Sequence, residues 1–344
     1  FGFSDEAMLA AERWRELEPD DPSVQRVIAL LELRLGKLKK ARRSYRQIIE
    51  DSPGPADKAV AQLLSEFADE DAANADKLMR MLAKPYDDSA AVAYASAVLA
   101  LQAGDDEYAA EKALRAIELD EDFIKAKLLY ARVLLLKGEQ DEAIEYTARI
   151  VGDDPEPDPD ARMELALMYL SAGRDDDALS QVNQVLLEQS GRTDALRLMA
   201  IINFRQGNLD VAWDDFEDLL ASRDYTMDAL YYLARIADIR SEFDRAIRLY
   251  SEVRNGQNAV ASQRRASALI AFEQEDPEFA LQRLDEFGDR NPGFAIDMLV
   301  ARAQLLDALG RDEEALDTYA RIIEFRPEDE STVLSRAELL LRMG

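Results

Sequence analysis

Apolar residues along this chain fall repeatedly on one face of a helix, in blocks that close on glycine or proline. Leu128–Lys137 is such a block, and Gly138 ends it by taking the left-handed conformation at no side-chain cost. The next block starts near Glu139, carries Ala143, Ile144, Ile150 and Val151 on one face, and meets a stop at Pro155. Pro19, Pro53, Pro292 and Pro327 hold the same stop position elsewhere. The blocks keep phase throughout. Ala7, Ala41, Ala75, Ala109, Ala143, Ala178, Ala212, Ala246, Ala280 and Ala315 follow one another at 34 or 35 residues. Ala29, Ala97, Ala131, Ala166, Ala200, Ala234, Ala268, Ala303 and Ala337 run parallel, with Leu63 in the one gap. Gly2, Gly36, Gly104, Gly138, Gly173, Gly207 and Gly310 each precede the first series by five residues. A fixed period of this size predicts stacked helix pairs: helix A, a glycine turn, helix B, then a breaker. The alanines belong where two helices cross, because only a small side chain lets the backbones approach.

The predicted fold is therefore all-α, one continuous array over residues 1–344 with about nineteen or twenty helices and no sheet. Repeats start near residues 22, 56, 90, 124, 159, 193, 227, 261, 296 and 330, with one-residue insertions near Asp153–Asp160 and near Pro292. Residues 1–21 and 330–344 read as partial repeats, as in a piece cut from a longer protein. The uncovered faces of the predicted end helices, Ser4–Leu17 and Ser331–Met343, are expected to self-associate. Glu70 and Glu275 stand where the turn glycine is expected, so those two turns should be reshaped.

The pattern resembles the tetratricopeptide repeat. Ala41 with Tyr45, Ala212 with Phe216, Ala246 with Tyr250 and Ala315 with Tyr319 match that family's alanine and following aromatic in helix B. The resemblance covers the whole chain. It implies a right-handed superhelix of about nine complete repeats with a half repeat at each end. It also implies that positions two, five, nine and twelve of each repeat line a concave groove.

Composition narrows the partners. The formal charge of −28 makes nucleic acid and anionic membrane surfaces poor ligands, since phosphate binding needs clustered Lys and Arg. No run approaches the roughly 18 apolar residues of a membrane span. The chain has no Cys and no His, which excludes disulfides, thiol chemistry, His-dependent triads and His/Cys metal sites within it. Asp175, Asp176 and Asp177 open a helix B, where acids complement the helix dipole. Asp153, Asp154, Glu156, Asp158 and Asp160 lack the central Gly and closing Glu of a calcium loop and read as a solvated connection. No Gly-rich phosphate loop occurs. No catalytic, cofactor or metal site is expected.

Positions five, nine and twelve of the ten repeats hold five Arg and three acids among thirty, against 42 basic and 70 acidic residues in the whole chain. The candidate partner-binding set is Tyr94, Arg132, Met163, Arg197, Tyr231, Arg235 and Arg265, of the residue types that dominate binding hot spots. The alternative for each is a core position or an Arg paired with a neighbouring acid. The asparagine and lysine set of a two-carboxylate clamp is not found.

A finer resemblance rests on Tyr231-Tyr232-Leu-Ala-Arg-Ile-Ala, Ala246-Ile-Arg-Leu-Tyr250, Arg264-Arg265-Ala-Ser-Ala-Leu-Ile and the degenerate early stretch Val60–Met81. Together they resemble Gram-negative periplasmic repeat lipoproteins tethered to the outer membrane, among them an adaptor of a carboxyl-terminal processing protease. That resemblance implies a non-catalytic adaptor in the periplasm. Its partner would be such a protease, and its lipid anchor would precede this chain. A module of a polysaccharide or cell-wall export assembly, a helical domain appended to an enzyme, and a cytoplasmic location are the alternatives.

Overall fold

The computed structural model describes residues 4–19, 21–154 and 156–344. The turn assigned to Gly2, the stop assigned to Pro155 and the side chain of Asp153 lie outside what is described. Among the described residues there are helices and no strands, which is the expected all-α class.

The chain forms two compact units, Phe1–Gln181 and Val182–Gly344. The first holds α1 (Ser4–Leu17), α2 (Pro22–Arg34), α3 (Leu38–Asp51), α4 (Ala56–Phe67), α5 (Ala72–Ala83), α6 (Ala90–Gln102), α7 (Asp106–Leu119), α8 (Ile124–Leu136), α9 (Gln140–Asp153) and α10 (Pro159–Ser171). The boundary falls inside α11 (Asp175–Glu188). The second unit continues with α12 (Thr193–Arg205), α13 (Leu209–Ser222), α14 (Thr226–Ile239), α15 (Phe243–Glu252), α16 (Ala259–Phe272), α17 (Pro277–Arg290), α18 (Ala295–Ala308), α19 (Asp312–Phe325) and α20 (Glu330–Met343). Even-numbered helices are helices A and odd-numbered ones helices B.

Nine of the ten helix-B alanines, Ala41 to Ala315, are wholly buried, as crossing points require. Ala7, on α1, is exposed. In helices A, Ala337 is exposed, and Ala268 is only half-buried while Ser267 beside it is 1% exposed. The α16 register explains this. Its buried residues Ser262, Gln263, Ala266, Ser267, Leu269 and Ile270 lie 33 residues after Ala229, Leu230, Leu233, Ala234, Ile236 and Ala237 of α14. Ser267, not Ala268, therefore occupies the crossing.

The turns divide as their residues dictate. Gly104 has φ 78°, its N–H bonds the carbonyl of Leu101, and Asp105 N–H bonds that of Ala100, the paired closure of a helix end. Without glycine, both expected departures appear. Glu275 is forced to φ 54°, and Asp276 N–H reaches back six residues to Ile270, one more than at Gly104. That extra residue absorbs the α16 shift. At Glu70 the backbone stays out of the left-handed region, and α4 packs more on α6 than on its own partner α5. Ser241 fills a glycine position with φ 60°.

One helix B is short. α15 has 10 residues where α13 and α17 have 14. Its end is held by a buried amide: Gln263 Nε2 donates to the carbonyls of Tyr250 at 3.2 Å and Val253 at 3.0 Å. A buried carbonyl without a donor would cost about 1–3 kcal/mol, so this glutamine stands in for the missing turn.

Candidate functional site

The seven candidate residues fall on helices A of both units. In the first unit, Tyr94 on α6 is half-buried against Phe123, with ring centroids 5.1 Å apart, and burial raises its hydroxyl pKa. Arg132 on α8 donates to Glu164 on α10 at 2.5 Å. Met163 is 7% exposed, a core side chain with little left to offer a partner. These three do not make an open constellation of anchors.

In the second unit, Arg197 on α12 donates to Asp228 on α14 at 2.6 Å and lies 5.2 Å from the ring centroid of Tyr225. Arg265 on α16 grips Asp238 on α14 through two bonds, at 2.6 and 2.8 Å, which raises the guanidinium pKa above its usual range. In the shifted register of α16, Arg264 takes the place equivalent to Tyr231, and Arg265 stands one residue past it. Three of the four candidate arginines are thus neutralised by acids on adjacent helices A. The basic strip expected from the residue count is mostly a ladder of ion pairs.

Arg235 differs. It sits half-buried on α14 with its guanidinium carbon 4.5 Å from the Phe204 ring centroid, 5.5 Å from Tyr231 and 5.8 Å from Tyr232. The platform is itself locked. Tyr232 stacks on Phe216 at 4.8 Å and meets Phe204 edge-on at 5.2 Å. Among the described residues no carboxylate pairs with Arg235. A guanidinium lying over rings is held by about 0.5–2 kcal/mol of cation–π attraction, and its in-plane fork stays available for a carboxylate. Phe204 and Tyr232 complete this site although they were not among the candidates; each lies next to or three repeat positions from one. The acids Asp228 and Asp238 were equally absent. Asp228 is at position two of its repeat, so that column shows an acid near the groove but not which arginine it meets.

No group of side chains suited to hold a metal ion occurs among the described residues, and no helix there is long and apolar enough to cross a membrane.

The geometry defines an all-α repeat scaffold. The tetratricopeptide repeat family matches residues 149–195 and 197–260, and again residues 296–329, so the chain carries tetratricopeptide repeats. No curated protein matches the sequence. Among solved structures, human IFIT1 in a dimer with PPP-AAAA is similar at a TM-score of 0.58, with 13% identity, 99% of this chain and 87% of that one covered. Yeast Tom70 is similar at 0.56, with 13% identity, over 99% of this chain and 86% of its own. PilW, a widely conserved type IV pilus biogenesis factor, is similar at 0.51, with 16% identity, over 58% of this chain and 93% of its own. At these identities the likeness is one of fold.

Proposed function

We propose that this chain is a non-catalytic scaffold that holds a segment of another protein on the helix-A face of its second unit, with Arg235 as the anchor. The observation that carries the proposal is the guanidinium of Arg235 on its aromatic platform with no carboxylate partner among the described residues, where the other three candidate arginines are each ion-paired. The fitting ligand is a peptide bearing a carboxylate, with an apolar or aromatic neighbour to lie along Phe204 and Tyr231. The net charge of −28 keeps other anionic molecules at a distance unless they make this short-range contact. The finer reading is an envelope adaptor, periplasmic and anchored to the outer membrane, whose partner is a carboxyl-terminal processing protease. It rests on the sequence resemblance alone.

The test is a peptide display selection on the wild-type protein, followed by affinities of the selected peptides measured by fluorescence polarisation. Selected sequences should be enriched in Asp or Glu. Arg235→Glu should weaken them at least tenfold, about 1.4 kcal/mol, with helicity unchanged. Equal affinity for wild type and variant would remove Arg235 from the binding face. Binding of a purified carboxyl-terminal processing protease, lost in the same variant, is the corresponding test of the adaptor reading.

A further inference from the structure

A second site lies away from Arg235, at the end of the shortened α15. There Ser251 and Arg254, with Gln263 of α16, face Phe279, Arg283, Glu286, Phe287 and Arg290 of α17 across a cavity of about 500 Å³. It brings three arginines and one acid together in a chain that is otherwise strongly acidic.

Arg283 is the centre of it. Its Nη1 donates to Ser251 Oγ at 2.9 Å and its Nη2 to Gln263 Oε1 at 2.9 Å, while Nε is buried with no acceptor among the described residues. No carboxylate pairs with it there, and burial lowers its pKa. Its hydrogen-bond partners are neutral, so the side chain is positioned without an ion pair, and the Glu286 carboxylate acts on it only through space and offsets less than burial costs. Burying an unpaired charge is costly, and an incoming anion relieves that cost. Arg254 at the rim has no carboxylate partner among the described residues either. Glu286, the one acid, is already engaged by Arg290 at 2.7 Å and Gln282 at 2.8 Å. Beside these cations lie two rings, of which Phe279 is 48% exposed.

We infer that this cavity binds the C-terminal residue of a polypeptide, its carboxylate on Arg283 and Arg254 and an apolar side chain against Phe279 and Phe287. Planar guanidinium forks suit a carboxylate, and the flanking rings select an apolar group attached to it. A free amino acid fits poorly, because its ammonium would enter a site whose only acid is occupied. An acylated nitrogen, as in a peptide, removes that repulsion.

Ligand-observed NMR on the whole chain with four probes tests this. N-acetyl-L-phenylalanine should bind. N-acetyl-L-phenylalaninamide, L-phenylalanine and inorganic phosphate should each bind at least about tenfold more weakly. Arg254→Gln and Arg283→Met should each weaken the acetylated acid by a similar factor. If Arg283→Met unfolds by circular dichroism, the exposed Arg254→Gln carries the test. Arg235→Glu should leave this binding unchanged, which separates failure here from failure of the first site. No binding of the acetylated acid, equal binding of its amide, or tighter binding of free phenylalanine or phosphate would each overturn the assignment.

Discussion

A buried alanine and an exposed one, at the same phase of the repeat, should answer mutation differently. Ala212 is wholly buried at a helix crossing, and an added arginine side chain there must push two backbones apart. Ala212→Arg is expected to cost several kcal/mol, at least about 3, by overpacking and by burying an unpaired charge. Ala7→Arg, on the exposed face of α1, should fall within about 0.5 kcal/mol of wild type. Chemical denaturation of both variants checks the contrast; similar midpoints would mean that the crossing geometry is misassigned. Small core residues were legible because size and period alone select them. The pairing of Arg197 with Asp228 and of Arg265 with Asp238 was not, because which acid an arginine reaches depends on how neighbouring helices are offset. That offset is a property of packing.

At the scale of helices and turns, the glycine rule accounts for both the regular turns and the exceptions. Gly138 has φ 82°, and nothing lies within 4 Å of a Cβ added there, so its substitution is resisted by the backbone alone. Gly138→Ala should therefore destabilise by about 1–2 kcal/mol, the cost of a left-handed non-glycine residue. The reverse holds at Glu275, which already bears that cost at φ 54°. Glu275→Gly should stabilise by roughly 0.5–1 kcal/mol after the added freedom of the unfolded chain is subtracted. Thermal melts should move in opposite directions, and a lower melting temperature for Glu275→Gly would show that its side chain contributes more than the strain removes. Helix positions were readable from apolar period and breakers. The shortening of α15 was not, since Phe243–Glu252 is followed by no proline, and the amide that ends it arrives from α16.

For the molecule as a whole, charge sets the response to pH. Asp215, half-buried and beside Asp218 and Asp214, is held above the usual aspartate value of 3.8 by partial desolvation, as is the more exposed Asp285. A carboxyl with a raised folded value stabilises when protonated, so these groups add stability as pH falls from neutrality through their folded values. Asp105 and Asp194 are held below 3.8 by hydrogen bonds, Asp105 chiefly from the Tyr108 backbone and Asp194 chiefly from Arg192. Their contribution is present above 3.8 and is lost as pH falls further. Protonation also relieves the self-repulsion of a −28 chain. The melting temperature should thus rise from pH 7 to about pH 5 and fall below about pH 4. Asp215→Asn should flatten the rising part, and a steady decline from pH 7 downward would contradict the assignment. The all-α class and the repeat were legible across the chain, yet one helix, α16, is read wrongly by any fixed step. The residue it lacks upstream and the extra one in its following turn behave like two compensating shifts of a reading frame. Either alone would rotate α16 by about 100° against its neighbours. Together they cancel and leave no trace at Ala280, where the count comes back into step. Repeats laid side by side at constant spacing would therefore compare every residue of this one helix with the wrong counterpart, while the rows before and after it align.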